Sequence, residues 1–146
     1  DSDEEIVKAA DRSIAEIFER DGETFFRARE TEVLARLLRG APCILSSGGG
    51  AFLAEGNRQL IAAQGVSVWL RADLDVLWNR VRHKARRPLL RTANPRETLR
   101  ALYEARLPFY QMAEITVDST ADCSVEDMAR RVVAALAARP DVLEGN

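Results

Sequence analysis

The stretch Leu45-Ser46-Ser47-Gly48-Gly49-Gly50-Ala51 limits the possible folds more than any other part of the sequence. An apolar run, Cys43-Ile44-Leu45, ends there in two serines and three consecutive glycines. Such a run predicts a short buried strand that enters a loop without side chains. Bare backbone at the carboxyl end of a strand lets a ligand approach closely, and its N–H groups can hold an anion or a hydroxyl. In open α/β sheets, ligands bind at that end of the strands. Taken by itself, the triplet serves equally well as a flexible turn.

The other segments decide between these readings. Helical and strand patterns alternate along the 146 residues, which predicts one α/β domain with a parallel sheet. A first helix is expected over Glu4–Ala10, with acids in its first turn. Ser13, with Glu16 three residues on, forms a capping box for a short helix ending near Arg20, and Gly22 breaks the pattern. A longer helix follows, Glu23–Leu38, with Arg27 and Glu30 on one face. That pair alone is equally consistent with a surface ion pair. After the glycines come a helix near Ala54–Ala63, a strand Val66–Leu70 and a helix from Asp73 to His83 that buries Val76, Leu77 and Val81. Asn94 and Pro95 mark the N-cap and first turn of a helix to Arg106, which Leu107-Pro108 breaks or kinks. A third strand, Ile115–Val117, precedes a helix from Val125 to Ala138 opened by Ser124 and Asp127. Residues 1–140 form the domain, with a mobile loop over 84–94, and 141–146 form a frayed tail.

Charge narrows the function classes. The net charge of −2 argues against general nucleic-acid affinity. No apolar run approaches membrane-spanning length. The two cysteines suit a reducing cytoplasm, and Cys43, in its apolar run, is expected in the core. His83 sits in the solvated context Arg82-His83-Lys84 and is not expected to be catalytic. A basic block, Arg80, Arg82, Lys84, Arg86, Arg87 and Arg91, lacks the aromatics of a single-strand binder, so a small polyanion suits it better. An Asp-x-Asp at Asp1-Ser2-Asp3, the glycine loop, and isolated arginines on helices together suggest phosphoryl transfer onto a small acidic alcohol.

The ordered pieces resemble the shikimate kinase family along nearly the whole chain. They are Asp1-Ser2-Asp3-Glu4-Glu5-Ile6, Ser13-Ile14-Ala15-Glu16-Ile17-Phe18, Gly22-Glu23-Thr24-Phe25-Phe26-Arg27-Ala28-Arg29-Glu30, Gly48-Gly49-Gly50, Arg87-Pro88-Leu89-Leu90 and Arg106-Leu107-Pro108-Phe109-Tyr110. The resemblance implies an ATP-dependent, magnesium-assisted kinase that phosphorylates the 3-hydroxyl of shikimate in aromatic amino-acid biosynthesis. It implies a three-layer α/β/α P-loop kinase fold with strand order 2-3-1-4-5, and a cytoplasmic monomer without nucleic-acid or membrane partners.

By position, Asp3 resembles the carboxylate that meets the reacting hydroxyl, and Asp1 the acid near the magnesium shell. Arg27 and Arg106 resemble the pair that grips the substrate carboxylate, with Glu30 orienting them. Gly49 and Gly50 would offer backbone N–H groups to the substrate. Arg87 resembles the lid arginine over the ATP phosphates, and Arg80 the adenine-side arginine. Arg29 and Arg86 compete with Arg27 and Arg87 for these roles.

The sequence departs from the family at Asp11, where the family has glycine, and in holding no Gly-x-x-x-x-Gly-Lys-[Ser/Thr]. In the family that loop and the first two strands lie before the Asp-x-Asp, so the protein is expected to continue N-terminal to Asp1. Two alternatives stay open: another small-molecule P-loop kinase, such as a gluconate or nucleotide kinase, and a noncatalytic shikimate-binding module.

Overall fold

The structure, a computed structural model, describes residues 1–83 and 92–143. It divides into two compact units, Asp1–Gly65 and Val66–Asn146.

The first unit is built on two helices, α1 (Ser2–Ala10) and α2 (Ile14–Arg39). Asp1 is the N-cap of α1, its carboxylate accepting from the backbone N–H of Asp3 at 2.8 Å. The helix ends at Asp11 in the left-handed region, φ 53°, a conformation that aspartate tolerates through its short polar side chain. Ser13 and Glu16 make both bonds of the capping box, at 3.2 and 3.0 Å. The helix pattern breaks at Gly22 as the sequence predicts: its φ of 84° and ψ of 170° interrupt α2 with a kink. Ile6, Ile17, Phe26 and Val33 pack into the core between α1 and α2. Each such buried side chain contributes about 1.5–3 kcal/mol relative to leaving it in water. A 3-10 turn, Ala51–Leu53, and α3 (Glu55–Gln64) complete the unit.

The strand expected over Cys43–Leu45 is not formed among the described residues. Cys43 is exposed rather than in the core, and Ile44 is fully exposed. An apolar run becomes a strand only where a neighbouring ladder takes its backbone groups. Here the segment is tied at one point, where the N–H of Ser2 donates to the Ser46 carbonyl at 2.9 Å.

The second unit holds two parallel strands, β1 (Val68–Arg71) and β2 (Ile115–Asp118), in register Val68↔Ile115 through Arg71↔Asp118. Parallel strands need a long crossover. Here it contains α4 (Leu74–Val81) and α5 (Pro95–Tyr110), which pack on each other. Arg71 and Asp118 close the strand ends with a bidentate pair at 2.6 and 3.0 Å. Val76, Leu77 and Val81 are half-buried rather than buried. Asn94 caps α5 with Pro95 in the first turn, as expected, but the helix runs through Pro108 instead of stopping there. Pro108 lies in the last turn, where the lost N–H removes one bond at the end of a long helix.

α6 (Val125–Ala137) opens with the Ser124–Asp127 capping box and packs on β2. Residues 140–143 form a helical turn, α7 (Pro140–Leu143), instead of fraying. Of the expected mobile loop, 84–91 lie outside the described residues, as do 144–146 of the tail. Among the described residues no helix is long and apolar enough to cross a membrane.

Candidate active site

The N-terminus of α1 and the middle of α2 face the glycine stretch. The cap made by Asp1 starts the helix so that Asp3, in its first turn, reaches Gly48. A Cβ on Gly48 would stand 3.0 and 3.2 Å from the two carboxylate oxygens of Asp3. Only a glycine leaves that approach open. Oδ1 of Asp3 is buried and has no hydrogen-bond partner among the described residues. A buried carboxylate oxygen without a donor is costly, and one more donor would satisfy it.

Two residues further along the same turn, Gly50 meets Arg27. A Cβ there would fall 2.6 Å from Nη1 and 2.8 Å from Cζ of the guanidinium. Gly50 itself has φ −81° and ψ −17°, which any residue adopts, so space and not backbone freedom calls for glycine.

Arg27 is held from three sides. Nη1 donates to Glu30 Oε1 at 2.8 Å, Nε lies 3.6 Å from Glu23 Oε1, and Cζ sits 5.3 Å from the Phe26 ring centroid. The Glu30 side chain is 2% exposed, so this bond neutralises a buried charge and fixes the guanidinium. An arginine carries five N–H donors, and those not used by Glu30 are left for a second carboxylate. Arg29, the rival candidate, points elsewhere: it pairs with Glu32 at 2.6 Å and lies over the Phe25 ring.

The turn itself is closed by backbone bonds from Ala51 N–H to the Gly48 carbonyl at 3.1 Å and from Leu53 N–H to the Gly50 carbonyl at 3.2 Å. Behind it, the buried amide of Asn57 donates to the Ala51 carbonyl at 2.9 Å and accepts from the Thr31 hydroxyl at 2.8 Å. Arg58 Nη1 donates to the carbonyls of Phe52 and Leu53, both at 2.8 Å. Sequence reading singled out Asp1, Asp3, Arg27, Glu30, Gly49 and Gly50. The structure joins Asp3 and Arg27 to the turn and Glu30 to Arg27. It adds Gly48, where a Cβ would stand 3.0 Å from Asp3 Oδ1. Asn57 and Thr31 were not legible, because single polar residues in the first turn of α3 and the middle of α2 read as ordinary surface positions.

The remaining candidates belong to the second unit. Arg106, on α5, lines a cleft of about 210 Å³ with Trp69, Leu102, Tyr103 and Tyr110. Its Nε is buried without a partner among the described residues, and Nη1 lies 3.5 Å from the Tyr110 hydroxyl. Arg80, near the end of α4, donates from Nη2 to the Thr120 carbonyl at 2.9 Å. Arg87, and its competitor Arg86, lie outside the described residues. His83 is exposed and accepts from Arg82 Nε at 3.0 Å, in keeping with a solvated position.

Comparison with known proteins bears on the same assembly. Residues 1–137 match the family profile described as shikimate kinase. A shikimate kinase of Cereibacter sphaeroides is 72% identical over 144 residues, covering 99% of this chain and 72% of that protein. One of Ruegeria pomeroyi is 69% identical over 144 residues, covering 99% of this chain and 74% of that protein. Among solved structures, the shikimate kinase from Acinetobacter baumannii in complex with shikimate superposes with a TM-score of 0.84 at 32% identity, over 94% of this chain and 77% of that one. The enzyme from Aquifex aeolicus gives 0.80 at 29% identity, over 94% and 80%.

Proposed function

The chain belongs to the shikimate kinase family, and from that premise we propose how its own residues carry the reaction. The protein is an α/β P-loop-type kinase that transfers the γ-phosphoryl group of ATP to the 3-hydroxyl of shikimate. The observation that carries the residue assignments is the double approach to the glycine turn: Asp3 against Gly48 and Arg27 against Gly50.

Shikimate places a ring alcohol and a carboxylate on one small frame. The buried Oδ1 of Asp3, without a partner among the described residues, supplies the acceptor for the alcohol proton. The hydroxyl oxygen forms the new bond to the γ-phosphorus, the bridging bond to the β-phosphate breaks, ADP leaves with that electron pair, and the proton passes to Asp3. Arg27, pinned by Glu30, takes the carboxylate at the other end. Arg106, whose Nε lacks an acceptor among the described residues, is the second donor to that carboxylate. The backbone of Gly49 and Gly50 lines the space between acid and alcohol, and a side chain at Gly50 would collide with Arg27. Arg80 serves the nucleotide side, and Arg87 closes over the phosphates.

Magnesium suits the acid at position 1. One oxygen of Asp1 caps α1, while the side chain stays exposed and its second oxygen makes no hydrogen bond among the described residues. Magnesium is commonly bound through one or two carboxylates, with water and phosphate filling its remaining positions. When bound, the ion would neutralise charge on the phosphates, and Asp1 would hold it, directly or through water.

A panel of alcohols with ATP, read by ADP release and by phosphorus NMR of the product, tests the reading. Shikimate should be phosphorylated at the 3-position and gluconate left untouched. Phosphorylation of gluconate but not shikimate would reassign the substrate.

A further inference from the structure

Behind the glycine turn lies a hydrogen-bond relay outside the contacts assigned to the substrate above. Asn57, at the third position of α3, is 1% exposed, and so is Ala51, whose carbonyl it holds. The Asn57 amide can have only one orientation here. Its nitrogen must face the Ala51 carbonyl, which accepts and cannot donate, so its oxygen faces the Thr31 hydroxyl. Thr31 lies one turn beyond Arg27 on α2, and its hydroxyl is also 3.1 Å from the Arg27 carbonyl. With one hydroxyl proton and a shorter distance to Asn57, the bond runs from Thr31 to Asn57.

We propose that Asn57, braced by Thr31, is a positioning residue that sets the spacing between the glycine turn and the Arg27 guanidinium, and thereby the affinity for the substrate carboxylate. The path is continuous. Arg27 and Thr31 share a helix; Thr31 bonds Asn57; Asn57 bonds the Ala51 carbonyl; and the Ala51 N–H closes the turn on Gly48. The turn therefore has a lateral tie to the helix that carries its arginine, in addition to its own bonds. Gly50 needs that tie because its neighbour is so close: with a guanidinium where a Cβ would stand, a small shift of the turn changes the space available to a carboxylate. An apolar side chain of equal volume would fill the site, deprive the Ala51 carbonyl of its side-chain donor and leave the Thr31 hydroxyl to the Arg27 carbonyl alone, so that the tie is lost.

This inference rests on the shikimate reading, so its test has one readout that needs no substrate. Thr31→Val keeps the shape and removes the hydroxyl; Thr31→Ser keeps the hydroxyl; Asn57→Ala removes the amide. In the full-length protein, Thr31→Val should raise the KM for shikimate by about tenfold, leaving kcat and the KM for ATP within about twofold. Thr31→Ser should restore the wild-type value. In the same Thr31→Val protein without substrate, hydrogen exchange of the Ala51 and Leu53 amides should accelerate while that of the α1 amides is unchanged. Asn57→Ala should reproduce both effects where it folds. Unchanged exchange at Ala51 and Leu53 in Thr31→Val overturns the proposal whatever the substrate proves to be. So does a shikimate KM within twofold of wild type, or an equal rise in both KM values. A wild-type protein that ignores shikimate but shows the exchange change in Thr31→Val overturns the substrate reading and leaves the brace standing.

Discussion

Gly50→Ala is a one-carbon perturbation whose effect should depend almost wholly on one distant side chain. The backbone at position 50 is in the right-handed helical region, so alanine brings no strain there. The added Cβ would lie 2.6 Å from Nη1 and 2.8 Å from Cζ of Arg27, well inside van der Waals contact. The guanidinium must therefore swing away and give up the 2.8 Å bond to the buried Glu30. A hydrogen bond to a charged group is worth about 1.5–3 kcal/mol. Arg27 is 34% exposed, so water recovers part of that, and the glycine-to-alanine change itself returns about 0.4–1 kcal/mol through the unfolded chain. A net loss of about 1 kcal/mol in stability follows. The cost to ligand binding is larger, because a displaced guanidinium no longer meets the substrate carboxylate: about 2 kcal/mol, or thirtyfold in Kd. A double-mutant cycle with Arg27→Ala isolates the cause. Shikimate titration by calorimetry and thermal unfolding should show that Gly50→Ala costs little once Arg27 is truncated. An equal penalty in both backgrounds would refute the steric argument.

The other expectations can be stated more briefly. Asp3→Asn should lower kcat by about 10²–10⁴ with shikimate Kd changed only a few-fold, since the isosteric amide keeps the contact and loses the proton acceptor; unaltered kcat in steady-state assays would remove Asp3 from the chemistry. Arg106→Ala should raise the shikimate Kd by at least tenfold, and Arg87→Ala should lower kcat more than it raises either KM; calorimetry and initial-rate kinetics read the two. Asp118→Asn addresses pH. The bond from Arg71 holds the Asp118 carboxyl below its ordinary range, so its contribution is present above the unfolded value of about 3.9 and fades as pH falls through the lower folded value. The melting temperatures of wild type and Asp118→Asn should therefore differ at pH 6 and converge towards about pH 2; a constant gap would show that Asp118 acts through packing alone.

How far the sequence told the fold depended on whether the deciding contact was local. Ser13 with Glu16, Ser124 with Asp127, and Asn94 with Pro95 announce helix starts because the partners lie within one turn, and all three form. Gly22 breaks its helix because only glycine sits easily at its φ. Cys43–Leu45 failed as a strand because pairing is a property of the neighbour, which hydrophobicity does not reveal. Pro108 failed as a stop because one missing N–H in a last turn is a minor loss against fifteen other residues already helical. At the site, Asp3, Arg27 and Glu30 were legible from motif order. The approach of Asp3 to Gly48 and of Arg27 to Gly50 was legible only in outline, since the sequence shows three glycines but not which one each side chain approaches. The Asn57 relay was invisible because its partners are 26 and six residues away.

The most direct measurement is the binding of shikimate and of its methyl ester to wild type and to Arg27→Ala. If Arg27 receives the carboxylate beside the glycine turn, wild type should lose at least tenfold in affinity for the ester, and Arg27→Ala should discriminate far less between the two ligands. An ester penalty of the same size in both proteins would contradict the account, because the carboxylate would then be recognised somewhere else.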